Sequence, residues 1–177
     1  MLILVGPSAS GKTQIVKILR EKYGLNKMVT YTTRSMRPGE VEGIDYFFLT
    51  KDEFEKRINE NFFIEYVVYN GNYYGTSISQ VSSDKVVILE PNGLKHYINK
   101  IRNDVKVAFL RCSKDIVRIR MQERGDQKEV IEKRLLLDGE VFSKEVMNLA
   151  DWVIDTSASN IYDNAMEIYL LYKDYIK

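Results

Sequence analysis

Short apolar runs alternate with longer amphipathic stretches along this chain. The clearest runs are 2–5 (Leu2-Ile3-Leu4-Val5), 85–90, 105–110 and 152–155. Their continuous apolar character, without polar alternation, predicts strands buried on both faces. Between them, apolar residues recur at helical spacing over 11–23, 92–101, 113–124, 128–148 and 159–176. Ile15, Val16, Ile18 and Leu19 make one such stripe. Ile161, Ala165, Ile168, Tyr172 and Ile176 make another, read as a docking face on the sheet. Strands alternating with helices predict an α/β fold, a parallel sheet flanked by helices. Two regions break the alternation. Residues 30–76 are rich in Tyr, Phe, Thr and Gly, with period-two stretches such as 62–69, and predict a small, mostly β insert with one helix near 51–59. Residues 118–134 are dense in charge, the pattern of a solvated helix face.

The first apolar run leads directly into Gly6-Pro7-Ser8-Ala9-Ser10-Gly11-Lys12-Thr13. This is a complete phosphate-binding P-loop between a predicted strand and a predicted helix. Gly6 and Gly11 supply backbone freedom, which lets the N–H groups of Ser8, Ala9, Ser10 and their neighbours turn inward as an anion-binding concavity. Ala9 and Ser10 fill variable positions and are expected to require nothing unusual. The helix start adds unpaired N–H groups and a positive dipole end. Lys12 should reach the β- and γ-phosphates of a triphosphate, and the Thr13 hydroxyl should sit on Mg²⁺. That ion keeps waters and borrows phosphate oxygens, so no carboxylate cage is needed. With such a loop present, arginines in the charged run 118–134 become candidates for clamping phosphates.

Composition narrows the rest. The chain has 177 residues, enough for one well-cored domain. Its formal net charge of +1 offers no argument for nucleic acid or an anionic membrane as partner. The single cysteine, Cys112, cannot form an intramolecular disulfide and is expected to be a buried inert thiol. The single histidine, His96, lacks companions for a zinc site and is expected on a helix surface. No apolar stretch approaches the ~20 residues that span a bilayer. The first apolar segment is too short for a signal peptide. A cytoplasmic protein, monomeric or weakly dimeric, is expected.

A second constellation follows in 30–46: Thr30, Thr32, Thr33, Arg34, Arg37, Glu40, Asp45 and Tyr46. Arg34 and Arg37 suit bidentate binding of a second phosphate-bearing group. Further on, Phe63-Ile64-Glu65-Tyr66 precedes Gly71-Asn72-Tyr73-Tyr74-Gly75-Thr76. A buried acid such as Glu65 can accept hydrogen bonds from a base edge carrying N–H donors, as guanine does.

Together these strings resemble the guanylate kinase family. The resemblance is carried by Thr32-Thr33-Arg34-x-x-Arg37-x-Gly39-Glu40-x-x-Gly43-x-Asp45-Tyr46-x-Phe48, by Phe63-Ile64-Glu65 with Gly71-Asn72-Tyr73-Tyr74-Gly75, and by Arg120-x-x-x-Arg124-Gly125 with Glu132-Lys133-Arg134-Leu135. It runs from Leu2 to about Lys173. It implies a P-loop NTPase-type parallel sheet core (1–29, 77–117, 138–177), an inserted monophosphate-binding unit at 30–76 and a helical lid at 118–137. It implies transfer of the γ-phosphoryl group of ATP to GMP, and to dGMP. Arg34, Arg37, Tyr46 and Tyr74 match the positions that hold the GMP phosphate, with Glu40 supporting them. Thr30, Glu65 and Thr76 match those that recognise guanine. Arg120, Arg124 and Arg134 match the arginines that close over the ATP phosphates. Lys12, Arg34 and these three arginines are the implied catalytic set.

The chain departs from the family pattern at Glu90-Pro91-Asn92-Gly93, where the family commonly carries Asp-x-Asp-x-x-Gly. Glu90 stands where the first acid belongs and is expected to act on Mg²⁺ through water; the second acid is missing. Asp155-Thr156 stands where the family often has Asn-Asp. These departures leave open a monophosphate kinase with another base preference. A non-catalytic guanylate-kinase-like interaction module is the remaining alternative, although such modules typically lose P-loop residues and Gly11, Lys12 and Thr13 are all present.

Overall fold

The computed structural model describes residues 1–36, 39–69 and 71–176. The chain starts with strand β1 (Leu2–Val5), helix α1 (Lys12–Tyr23) and a two-residue strand β2 (Asn26–Lys27). Strand β3 (Thr30–Thr32), β4 (Tyr46–Phe48), helix α2 (Lys51–Asn59), β5 (Phe63–Tyr69) and β6 (Asn72–Ser77) follow. Then come β7 (Lys85–Ile88), α3 (Pro91–Ile101), β8 (Lys106–Arg111), α4 (Lys114–Glu123), α5 (Lys128–Val141), α6 (Lys144–Met147), β9 (Trp152–Asp155) and α7 (Ile161–Tyr172).

Five strands form a parallel sheet in the order β2-β7-β1-β8-β9. Every residue of β1 is buried, and its side chains alternate between two cores. Leu2 and Leu4 pack with Ile15 and Leu19 of α1 and with Ala165, Ile168 and Tyr172 of α7. Ile3 and Val5 pack on the opposite face with Leu94 and Tyr97 of α3 and Val146 of α6. Cover on both faces is what the unbroken apolar runs require. The α7 stripe does face inward, as its spacing predicts. No helix among the described residues is long and apolar enough to cross a membrane.

The remaining strands form a second, mixed sheet in the order β4-β3-β6-β5. β3 runs parallel to β4 and antiparallel to β6, and β5 is antiparallel to β6. Helix α2 covers one side of it. Thr50 caps α2 in a capping box with Glu53, and the buried ring of Phe54 stacks on Phe63 and Tyr73.

Three element boundaries differ from the sequence pattern. The run 85–90 ends as a strand at Ile88, because Pro91 occupies the first turn of α3, where its missing N–H costs nothing. The helical stretch 128–148 is broken in two. Phe142 leaves helical geometry at φ −94°, ψ 57°, and Ser143, extended at φ −67°, ψ 170°, opens α6. The last helix ends at Tyr172 and continues as a single 3₁₀ turn, Lys173–Tyr175. β2 went unseen in the sequence, since two exposed polar residues carry no apolar signal.

Candidate active site

The loop between β1 and α1 closes around the Lys12 ammonium. Lys12 Nζ donates to the carbonyl oxygens of Gly6 at 2.6 Å and Pro7 at 2.7 Å, and lies 3.5 Å from Ser10 Oγ. Burial lowers its pKa below the ordinary 10.5, against the opposing pull of the Glu90 and Asp138 carboxylates. Glu90 is exposed where β7 gives way to α3. Asp138, on α5, accepts a 2.6 Å hydrogen bond from the Ser8 N–H of the loop.

Close approach dictates Gly6, and a left-handed backbone at φ +95° dictates Gly11. A Cβ at Gly6 would lie 2.4 Å from the Leu110 carbonyl oxygen of β8, and one at Gly11 would lie 2.8 Å from Ile161 Cδ1. At Gly6 the obstacle is backbone and cannot swing aside. Gly6→Ala is therefore expected to push the loop off β8 and to destabilise the fold by about 2 kcal/mol or more. A thermal melt would show it as a Tm lowered by roughly 5 °C. Ala9 and Ser10 turn out to be special after all. Ala9 adopts φ +54°, the left-handed region that residues with a Cβ rarely enter, and Ser10 is fully buried. A backbone that alternates hand is what turns successive N–H groups toward one point.

Residues 9–14 floor a cavity of about 660 Å³, and Arg120, Arg124 and Ile161 contribute to its walls. Arg120 donates to the carbonyls of Ala9 at 3.2 Å and Thr156 at 2.6 Å, which bridges the loop and the end of β9. Its guanidinium also stands 3.6 Å from Cys112 Sγ. Cys112 is half-buried rather than buried, because it lies one residue beyond the end of β8. Arg124 pairs with Asp126. Thr13 is exposed in the first turn of α1 and lines the same cavity. Arg134 is exposed on α5 and is not part of this lining.

A second group of sequence-predicted residues meets on one face of the mixed sheet. Thr30 pairs with Tyr46, Thr32 with Phe48 and with Tyr74, Glu65 with Thr76, and Val67 with Tyr74. Directly paired residues share a face and neighbours alternate, so these eight side chains point to the side away from α2. Tyr31, Phe47, Phe63 and Tyr73 point the other way, into the aromatic core with Phe54. The Arg34 guanidinium lies over the rings of Tyr46 (5.4 Å) and Phe48 (5.8 Å) and pairs with Glu40 at 2.6 Å. Tyr74 meets Tyr46 edge-on at 6.3 Å, and its hydroxyl, with Glu40, favours the charged form of the same guanidinium. Arg37, the other expected phosphate ligand, lies outside the described residues. Glu65 accepts from Thr76 Oγ1 at 2.9 Å. Burial pushes its carboxyl above the ordinary 4.5, opposed by that hydrogen bond and by the charges of His96 and Lys100 on α3. His96 is exposed on its helix, as read from the sequence.

The loop with Arg120 and Arg124, and the sheet face with Arg34, are two separate basic surfaces in one chain. A family model described as guanylate kinase matches residues 1–161. The chain belongs to the guanylate kinase family.

Among curated guanylate kinases, that of Fusobacterium nucleatum is 37% identical over 142 residues, covering 76% of this chain and 77% of the relative. That of Legionella pneumophila is 36% identical over 143 residues, covering 76% and 68%. The crystal structure of guanylate kinase from Anaplasma phagocytophilum shares the fold, with a TM-score of 0.64 at 23% identity over 98% of this chain and 84% of that one. Family motifs do not account for every residue at these two surfaces. Val67 joins the polar face beside Glu65, a position that the period of β5 alone would have flagged. Asp138 was hidden in a charged helix, although it stands four residues after Arg134 and so one turn along the same face.

Proposed function

We propose that this chain transfers the γ-phosphoryl group of ATP to GMP, giving ADP and GDP. In this reading residues 30–76 are the acceptor-binding insert, residues 118–137 are the lid, and the parallel sheet with its helices is the core. The observation that carries it is the pairing of a P-loop closed around Lys12 with a separate sheet face that gathers Arg34, Tyr46, Tyr74, Glu65 and Thr76. A single-nucleotide enzyme would have no use for the second.

ATP would lie with its phosphates against the loop N–H groups and Lys12, and GMP with its phosphate on Arg34, Tyr46 and Tyr74, supported by Glu40. Thr30, Glu65 and Thr76 would hold the guanine edge. An acceptor phosphate is already ionised, so no general base is needed; positioning and charge stabilisation do most of the work. Lys12 and Arg120, Arg124 and Arg134 would balance charge on the transferring group. The donor set also fits Mg²⁺. Among the described residues no group of three His, Cys, Asp or Glu gathers to hold a metal, while the Thr13 hydroxyl and the single Glu90 carboxylate suit an ion held mainly by phosphates and water. Bound there, Mg²⁺ would neutralise part of the phosphate charge.

The deciding experiment is ADP release by the purified protein with GMP, dGMP, AMP, UMP and IMP as acceptors. Preference for GMP is expected; preference for a base other than guanine would overturn the assignment. The state of Glu65 adds a second expectation. Only the ionised carboxylate accepts both N–H donors of guanine, and its pKa is raised above 4.5 by burial. Measured relative to Glu65→Gln, which shares the titration of the GMP phosphate at about pH 6, the KM for GMP should therefore climb on acidification at a higher pH than an unperturbed glutamate would give. A ratio of the two KM values that is flat down to pH 4.5 would remove Glu65 from base recognition.

A further inference from the structure

Helix α5 carries Arg134, Asp138 and Phe142 at intervals of four, counting the residue at its C-terminal end, so the three lie along one face. That face meets the phosphate loop. The Ser8 N–H donates to Asp138 Oδ2 at 2.6 Å, and the Lys12 ammonium stands 5.9 Å from the Phe142 ring centroid. The two partners of the hydrogen bond are 130 residues apart in sequence. Asp138 comes to the loop from behind. With Pro7, Leu135 and Phe142 it lines a cavity of about 220 Å³, whereas neither Asp138 nor Ser8 lines the 660 Å³ cavity over residues 9–14. The carboxylate thus takes the Ser8 N–H, expected to turn inward with its neighbours, to the back of the loop and leaves the side over residues 9–14 clear.

We propose that Asp138 is a positioning residue for phosphoryl transfer, a role that rests on the kinase reading above. It anchors the Pro7–Ser8 arm of the loop to α5. The loop donors and Arg134, one turn earlier on the same helix face, are thereby kept at a set spacing. A carboxylate suits the task because a charge-assisted hydrogen bond to a backbone N–H is shorter and stronger than a neutral one. Half-burial behind the loop keeps water from competing for that N–H.

The test compares wild type with Asp138→Ala, Asp138→Ser and Asp138→Asn. Calorimetry measures Mg·ATP binding without acceptor, and ADP release gives kcat and both KM values. Asp138→Ala should weaken ATP binding about tenfold, the loss of one hydrogen bond to a charged group. It should lower kcat and leave the KM for GMP within about twofold. Asp138→Ser keeps a polar side chain but stops short of Ser8, so it should match the alanine loss and decides the matter if Asp138→Ala does not fold. Asp138→Asn retains an acceptor oxygen and should recover most of the affinity. Unchanged ATP binding in the alanine and serine variants would overturn the proposal. Tighter ATP binding would also overturn it, since the carboxylate would then be a competitor for the anion site. An equal rise in both KM values together with a lowered Tm, unrelieved by asparagine, would mark a merely structural residue and overturn it too. If wild type binds ATP yet does not phosphorylate GMP, the activity assignment fails while the calorimetric comparison still decides the role of Asp138.

Discussion

Replacing Lys12 by alanine is expected to abolish turnover, with kcat reduced by about 10³-fold or more. The reason lies in how the ammonium is held. Lys12 Nζ sits between two loop carbonyls at 2.6 and 2.7 Å, half-buried, with burial already depressing its pKa. Such a charge is partly stripped of water before any substrate arrives, so it acts on developing phosphate charge at close range and with little reorganisation. Alanine would remove that charge and also leave the Gly6 and Pro7 carbonyls without their donor, which loosens the loop. ADP release in the presence of ATP, Mg²⁺ and GMP is the measurement. A Lys12→Ala protein that turns over at near the wild-type rate would sink the mechanism, whatever its affinity for ATP.

The second large effect belongs to the other half of the site. Arg34→Ala should raise the KM for GMP by about 10²-fold or more and leave the KM for ATP nearly unchanged. Removing one member of a charge pair that is shielded from water is costly, and here the guanidinium is also the group that would meet the acceptor phosphate. The pair is Arg34 and Glu40, 2.6 Å apart, with both side chains largely shielded at 14% and 19% exposure. Arg34 is also set in place by two rings and by Tyr74, so lysine would not reproduce its planar fork. Arg34→Lys is expected to recover only a small part of the loss. Equal rises in both KM values would mean that Arg34 supports the fold rather than the acceptor phosphate.

Much of this site was legible because its signals are local. The P-loop is eight consecutive residues, and its chemistry depends on backbone freedom at Gly6 and Gly11 and on one lysine. Strand β1 and helix α1 follow from an apolar run and a helical stripe, and the structure places them within a residue of the expected bounds. The face that collects Thr30, Glu65, Tyr74 and Thr76 was present in outline as period-two alternation. What alternation could not supply was register. Only the pairing of Glu65 with Thr76 and of Val67 with Tyr74, after a register shift between Phe63 and Glu65, shows which residues share that face. Cys112 was misread for a related reason: a single residue past the end of β8 changes burial, and strand ends are poorly marked in sequence.

The amino-acid sequence by itself determined most of the elements, the loop and the family, because each rests on neighbours in the chain: apolar period, glycine position, and motif spacing. The tertiary structure alone decided which distant groups meet. It brought Asp138 of α5 to the Ser8 N–H, Arg120 of α4 to the carbonyls of Ala9 and Thr156, and Leu110 so close to Gly6 that no side chain fits there. These contacts join segments 36 to 130 residues apart. Their geometry depends on how helices pack on the sheet, a property of three-dimensional close packing that no local pattern encodes.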